Sequence, residues 1–188
     1  MKALSLSQPW ATMVAIQAKR IETRSWSTPY RGPLAIHAAK NFPPEARRLV
    51  ALSEPFRSAF LAAGYSVGPL KNPYWIPLGK IVAVARLVDV VPILRRQVDD
   101  DLAIITDEGL IPIGPTERAF GDYTPGRCAW LLAEVFALPA PIPARGQLGL
   151  WEWPYSMCPR CEGQRFDVGA CSTCGNVGYL LEDGGHKK

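Results

Sequence analysis

The sequence predicts an α+β fold followed by a small C-terminal module. Apolar runs rich in β-branched residues alternate with a long helical segment, and two Cys-x-x-Cys pairs lie close together near the end of the chain. The 188 residues are 48% hydrophobic, which suffices for one packed domain plus a short appendage. We therefore expect one domain over residues 1–154, a cysteine module over 155–181 and a disordered tail over 182–188.

The N-terminal residues predict a strand and then a helix. Residues 3–6 form a short apolar strand, and Ser7 or Gln8 caps a helix that starts at Pro9, where a missing N–H does no harm. Trp10 begins a series of apolar residues at helical spacing. Packing into the core is the simplest role for this tryptophan.

Residues 20–26 and 33–39 predict a hairpin with charged residues on one face. Alternation places Arg20, Glu22, Arg24 and Trp26 on one face of the first strand and Ile21 and Thr23 on the other. The second strand is nearly continuous apolar sequence and carries His37. Ionised groups beside a core need partners or a water-filled pocket, so this face indicates either an exposed edge or a binding site.

The middle of the chain predicts two helical pieces and two long strands. Residues 45–63 have a helical pattern that Pro55 divides, with an apolar side formed by Leu49, Leu52, Phe56, Phe60 and Leu61. Residues 80–91 are a buried strand, in which Asp89 suits either a solvated exit or a pocket carboxylate. Residues 92–124 predict an extended or helical arm and an insertion, and residues 127–138 predict another strand.

The C-terminal cysteines predict a metal site. Two Cys-x-x-Cys pairs separated by nine residues have the ligand types and spacing of a tetrahedral, structural zinc site formed by Cys158, Cys161, Cys171 and Cys174. Metal binding would then supply much of the folding free energy of this short module. Cys128 stands apart in a strand and is interpreted as a packing residue.

Charge and hydropathy exclude some classes of protein. The net charge of +4 and the pI near 8.9 are compatible with a polyanionic partner. Because no run approaches about 20 apolar residues and the N-terminus lacks the pattern of a signal peptide, we expect a cytoplasmic protein without a membrane partner.

The residues Lys19, Glu22 and Arg24 occur at the spacing G-x-K-x-x-E-x-R, with Gln17 in place of the glycine. This run resembles the signature of the ASCH domain, a branch of the PUA-like β-barrel superfamily. The resemblance extends over residues 3–153 through the segments Leu4–Ala11, Tyr30–Ala38, Gly79–Ala85, Gly126–Leu132 and Pro143–Trp151. It implies a small PUA-like β-barrel flanked by helices, with a cleft for RNA or a nucleotide-like ligand.

The same resemblance implies which residues line or border the ligand cleft. They are Gln8, Trp10, Lys19, Glu22, Arg24, Trp26, Arg31, His37, Arg145 and Gln147. Lys19 and Arg24 suit a phosphate or a base edge, and Glu22 suits a base amino group. Trp10 or Trp26 suits stacking on a base.

Three hypotheses for the function follow. The first is nucleic-acid binding in the cleft, with the zinc module as a second contact through Arg160 and Arg165. The second is hydrolysis of RNA or of an acylated nucleoside, with Lys19 and Glu22 as acid and base. Thr23 is not expected to be a nucleophile, since alternation points it away from Glu22. The third is a protein-interaction adaptor that uses the zinc module.

Overall fold

The computed structural model describes residues 1–66, 76–93, 97–98, 101–106, 109–160 and 179–181. The elements are β1 (Lys2–Leu6), α1 (Trp10–Ala15), β2 (Ile21–Arg24), β3 (Gly32–Ala38), α2 (Pro44–Leu52), α3 (Phe56–Ala62), β4 (Lys80–Pro92), β5 (Gln97–Val98), β6 (Asp101–Thr106), β7 (Gly109–Ile113), α4 (Pro115–Ala119), β8 (Cys128–Pro143), β9 (Leu150–Glu152), β10 (Tyr155–Met157) and β11 (Tyr179–Leu181). The predicted α+β class is confirmed.

The main sheet is a six-stranded, curled half-barrel. Its strand order is β2-β8-β4-β3-β1-β9, so that β2 and β9 form its two edges. Only β1 and β3 pair in parallel, and every other neighbouring pair in this sheet is antiparallel. β2 pairs with the first residues of β8, and the side chain of Arg24 at the end of β2 reaches the carbonyl of Ser5 in β1.

The core lies on both sides of this sheet. Inside the curl, Leu4, Ile36 and Trp130 are fully buried and belong to the same cluster as Ala11 and Val14 of α1. Burying large apolar side chains of this kind contributes about 1.5–3 kcal/mol for each one. A second cluster, centred on Trp151 and Trp153, covers the opposite face.

The hairpin predicted from β2 and β3 is wrong. β2 pairs with β8, with Glu22 opposite Trp130, whereas β3 lies between β4 and β1. β3 is buried and pairs along both of its edges, whereas β2, which carries charged residues, lies at the edge of the sheet. Both strands themselves lie where the sequence predicted them.

Helical and insertion segments differ in detail from the prediction. Pro55 does divide the helical region, but Leu52 and Leu61 are 65% and 44% exposed. The buried side is instead formed by Ala46 and Val50 in α2 and by Phe56 and Phe60 in α3. The insertion contains the three-stranded sheet β5-β6-β7, which contributes Ile104 and Ile113 to a cluster with Ile21. The sequence did not predict this sheet.

The C-terminal module is described only at its ends. β10 and β11 are antiparallel, with Met157 opposite Tyr179. Cys158 follows β10 and is fully buried. The other three predicted zinc ligands, Cys161, Cys171 and Cys174, lie outside the described residues, as do Arg165 and the predicted tail.

In the described part of the chain, no helix has the length and apolar character needed to cross a membrane.

Candidate functional site

The turn before β2 adopts the conformation that a glycine would favour. Gln17 has a positive φ of 62°, the left-handed region in which a side chain is strained. Its N–H donates to the carbonyl of Val14 at 2.9 Å, and its side-chain amide donates to the carbonyl of Val135 at 3.2 Å. The departure from the G-x-K pattern therefore leaves a glycine-like turn in place.

Lys19 is a fully buried cation. Its ammonium donates a hydrogen bond to the carbonyl of Ile21 and lies 3.6 Å from Oε2 of Glu22. Burial lowers the pKa of Lys19, while the carboxylates of Glu22 and Glu117 act in the opposite direction. Among the described residues, the ammonium of Lys19 directly contacts the backbone carbonyl of Ile21 and the carboxylate of Glu22.

Glu22 lies between two cations. Its Oε1 is 3.8 Å from Nη1 of Arg24, and its side chain is 9% exposed. Arg24 in turn donates from Nη2 to the carbonyl of Ser5 at 3.1 Å, and its buried Nε has no hydrogen-bond partner among the described residues. Both ion-pair distances exceed a hydrogen bond, so lone pairs of the carboxylate remain open to a ligand.

Side chains cover the open edge of β2. Glu117 of α4 accepts hydrogen bonds from the backbone N–H groups of Arg20 at 2.9 Å and Ile21 at 3.1 Å. Lys19 occupies the carbonyl of Ile21, and Arg127 donates from Nη2 to the carbonyl of Thr23 at 3.1 Å. These contacts block pairing with a further strand and fix the backbone that carries Glu22.

A cavity of about 350 Å³ opens beside this edge. Its lining is formed by Trp10, Glu22, Thr23, Ala119, Phe120, Gly121, Asp122 and Arg127. Trp10 is half-buried and packs edge-on against Phe56, with 6.2 Å between the ring centroids. The cavity thus combines an aromatic wall with the partly neutralised carboxylate of Glu22.

The segment 120–122 also lines the cavity, and it approaches β2 closely. A Cβ on Gly121 would lie 2.8 Å from the ring of Tyr123 and 3.1 Å from the methyl group of Thr23. The N–H of Asp122 donates to Oγ1 of Thr23 at 3.0 Å. The hydroxyl of Thr23 and the carboxylate of Glu22 therefore have different partners, although both residues line the cavity.

Asp122 and Arg127 form a charged pair at the same cavity. Nε of Arg127 lies 3.3 Å from Oδ2 of Asp122, and both side chains are at least partly exposed. Hydrogen bonds from Thr124 lower the pKa of Asp122, and Arg127 acts in the same direction. This pair adds a donor and an acceptor at the rim.

Three of the predicted ligand residues have structural partners. Gln8 is fully buried; it donates to the carbonyl of Pro77 at 2.8 Å and accepts from the N–H of Thr12 at 3.1 Å, which supports the start of α1. Trp26 packs edge-on against Trp130 at 4.6 Å. Arg31 forms an ion pair of 2.7 Å with Asp89, and both side chains are partly exposed.

His37 is buried next to the loop that holds Arg145 and Gln147. Its Nε2 lies 3.1 Å from the carbonyl of Ala144, and its Nδ1 lies 3.1 Å from Oγ of Ser5. Since a carbonyl only accepts, Nε2 carries the proton and Nδ1 accepts from the Ser5 hydroxyl in the neutral ring. Burial lowers the pKa of His37, which favours this neutral form.

The structure thus brings together only part of the predicted set. Trp10 and Glu22 line the cavity, with Lys19 and Arg24 in contact with Glu22. Sequence reasoning missed Glu117, Gly121, Asp122 and Arg127 as site residues. Arg127 lies in a segment that resembles the family, whereas Gly121 and Asp122 lie in the region 92–124, for which the sequence predicts only an arm and an insertion. Glu117 acts on backbone groups, for which no spacing signature exists.

Comparison with known proteins identifies the class of protein. A sequence profile of the ASCH domain matches residues 4–135, and the chain belongs to the ASCH domain family. A mouse protein, activating signal cointegrator 1, is 37% identical over 86 residues, which is 46% of this chain. The match spans 14% of the mouse protein's length.

Proposed function

We propose that this chain binds nucleic acid, either RNA or a strand with a modified nucleotide, and holds one base in the cavity beside Glu22. The observation that carries the proposal is the carboxylate of Glu22, which is nearly buried, flanked by Lys19 and Arg24, and part of the lining of a cavity of about 350 Å³. Membership of the ASCH family, within the PUA-like RNA-binding superfamily, is consistent with this function.

The charges at the cavity favour a base over a phosphate. Its lining contains two carboxylates, Glu22 and Asp122, and one guanidinium, Arg127. A carboxylate accepts hydrogen bonds from an amino group of a base, and the ring of Trp10 offers an aromatic surface on which a base can stack. Phosphates would then contact exposed cations outside the cavity, such as Arg20 and Arg145.

The test is a fluorescence anisotropy titration of labelled 12-nucleotide single-stranded RNA and DNA at several salt concentrations. Glu22→Gln should weaken binding about tenfold, because the acceptor charge is lost while the shape is kept. Glu45→Gln, at an exposed position of α2, is the matched control and should bind like the unmodified protein. Equal affinity for both variants, or no binding of either probe, would contradict the proposal.

Hydrolysis of RNA or of an acylated nucleoside is the second candidate. It is favoured by one observation: the lowered pKa of Lys19 next to the carboxylate of Glu22. Incubation with the RNA probe and with N4-acetylcytidine, followed by mass spectrometry, tests it directly. Product that disappears in Glu22→Gln while affinity for the substrate persists would support an enzyme.

We also propose that the module after β10 binds one structural Zn²⁺ through Cys158, Cys161, Cys171 and Cys174. The spacing supports this, as does the pairing of β10 with β11, which brings the two ends of the cysteine segment together. Zinc analysis by mass spectrometry should give one ion per chain. Cys161→Ser should lose it, whereas Cys128→Ser should keep it.

The zinc module could serve either as a second nucleic-acid contact or as a protein-binding surface. Loss of RNA affinity in Cys161→Ser would favour the first role. An adaptor that works through the module alone would retain partner binding when Glu22 is replaced.

A further inference from the structure

The loop between β8 and β9 presents an apolar side chain directly to water. Residues 145–149 are all exposed, and Leu148 is 98% exposed. Among the other large hydrophobic residues of the described chain that are exposed, the highest value is 65%, at Leu52. An isolated apolar surface residue is ordinary, so a partner at Leu148 is inferred from the residues around it.

The base of this loop is fixed to the sheet. The N–H of Ala144 donates to the carbonyl of Gly79 at 3.1 Å, and the carbonyl of Ala144 accepts from His37. The backbone of Gly146 lies so close to His37 that a Cβ there would be 2.3 Å from the ring and 2.8 Å from Oγ of Ser5. These contacts fix the base of the loop, while Leu148 beyond them is exposed.

A continuous set of contacts joins the loop to the cavity. Ser5 lies under Gly146, and its carbonyl accepts the hydrogen bond from Arg24 at 3.1 Å. Arg24 is 3.8 Å from Glu22, which lines the cavity. β2 pairs with the first residues of β8 and the loop follows its last residue, so the link between loop and cavity runs through Ser5 and the side chain of Arg24.

The residues beside Leu148 favour a nucleic acid over a protein partner. Arg145 and Gln147 are both exposed on the same loop, and these residue types bond phosphates and base edges. In complexes with duplex DNA, apolar side chains such as leucine insert between neighbouring base steps and unstack them. The net charge of +4 agrees with a polyanionic partner.

We propose that the loop 144–149 is a second nucleic-acid contact, in which Leu148 inserts against the bases next to the one held in the cavity and Arg145 contacts a phosphate. This proposal rests on the proposed function of the cavity. It assigns apolar contact to Leu148 and electrostatic contact to Arg145, so the two residues should affect binding in different ways.

The experiment uses the full chain and whichever 12-nucleotide probe, RNA or DNA, it binds more tightly, with 2-aminopurine placed at successive positions. Binding should raise the fluorescence at one or two positions, because an inserted side chain unstacks the reporter base. Leu148→Ser should abolish that rise and weaken binding about tenfold, with the salt dependence unchanged. Arg145→Gln should lower the slope of affinity against salt by about one phosphate contact.

Leu52→Ser, an exposed leucine on α2, is the matched control and should behave like the unmodified protein. If the probe binds in a Glu22-dependent way but Leu148→Ser changes neither affinity nor fluorescence, the loop proposal is overturned while the cavity proposal stands. In that case the loop would instead suit a protein partner. If the unmodified chain binds neither probe, the proposed function is wrong, and so is the loop proposal that rests on it.

Discussion

The ammonium of Lys19 lies 3.6 Å from the carboxylate of Glu22, and their side chains are only 1% and 9% exposed. A pair so far from water is costly to form, and it is more costly to break by removing one partner, because the other charge is then left uncompensated. The pair thus links the stability of the turn before β2 to the charge state of the cavity lining.

Replacing Lys19 with Met should lower the free energy of unfolding by about 3 kcal/mol, since Glu22 would retain only the longer contact with Arg24. Adding Glu22→Gln should recover much of that loss, because the buried charge is then removed as well. Urea unfolding of the two single variants and the double variant measures the coupling. Lys40→Met, at an exposed position, is the control. Strictly additive effects would show that the pair is not formed.

The buried ring of His37 predicts a pH dependence of stability. Burial lowers the pKa of His37 in the folded chain, with Lys40 acting in the same direction and the Ala144 carbonyl opposing. The unfolded chain, with a histidine pKa of about 6.5, then binds a proton more readily. The stability that neutral His37 contributes is therefore fully present above the unfolded pKa, and it is lost as the pH falls through the folded pKa.

The measurement is the urea midpoint of the unmodified chain and of His37→Gln at pH 7.5 and pH 5.5. The variant should be less stable at pH 7.5, and the difference should shrink at pH 5.5. Carboxylates titrate in both proteins and cancel in the comparison. An equal difference at the two pH values would mean that His37 has an ordinary pKa.

The strained turn at Gln17 predicts a preference for glycine over alanine at this position. Its φ of 62° is costly for any residue with a Cβ, by about 1–2 kcal/mol. Gln17→Gly should therefore be more stable than Gln17→Ala by about 1 kcal/mol, since both variants lose the same side-chain hydrogen bond to Val135. Thermal unfolding of the two variants tests this directly. Equal stability would indicate that the turn relaxes when the side chain is removed.

Local pattern predicted most of the strands and helices. β4 was found because its β-branched run is long, and the break between α2 and α3 was found because Pro55 lacks an N–H and fixes φ. The pairing of β2 was not predicted, because its best partner, β8, lies more than 100 residues away in sequence and no local signal encodes that choice.

The candidate site was predicted only where a side chain acts through its own chemistry. Glu22 and Trp10 were found in this way, as were the ionic neighbours of Glu22. Gly121 and Glu117 were missed, since their roles depend on a close approach and on backbone N–H groups of a distant strand. His37 was expected at a ligand, whereas in the structure its two nitrogens face Ser5 and Ala144.

The close approach of the Gly146 backbone to His37 gives the last prediction. Any Cβ at this position would overlap the imidazole, 2.3 Å from Cε1, and the ring cannot move without breaking its bonds to Ser5 and Ala144. Gly146→Ala should therefore cost about 1–3 kcal/mol of stability, as overpacking does. Gly114→Ala is the control without overlap, since a Cβ there meets nothing within 4 Å; because Gly114 is the N-cap of α4, this variant should lose only about 0.5 kcal/mol.

Denaturant unfolding measures both glycine variants, and a probe titration of Gly146→Ala adds a functional comparison. Because the substitution displaces the loop from its seat without touching Leu148 itself, the 2-aminopurine response should fall along with stability. If Gly146→Ala is destabilised but keeps the full 2-aminopurine response, the packing of Gly146 on His37 is not required for the contact of the loop with the bases. No loss of stability in Gly146→Ala would show that the loop is not held against His37 in solution.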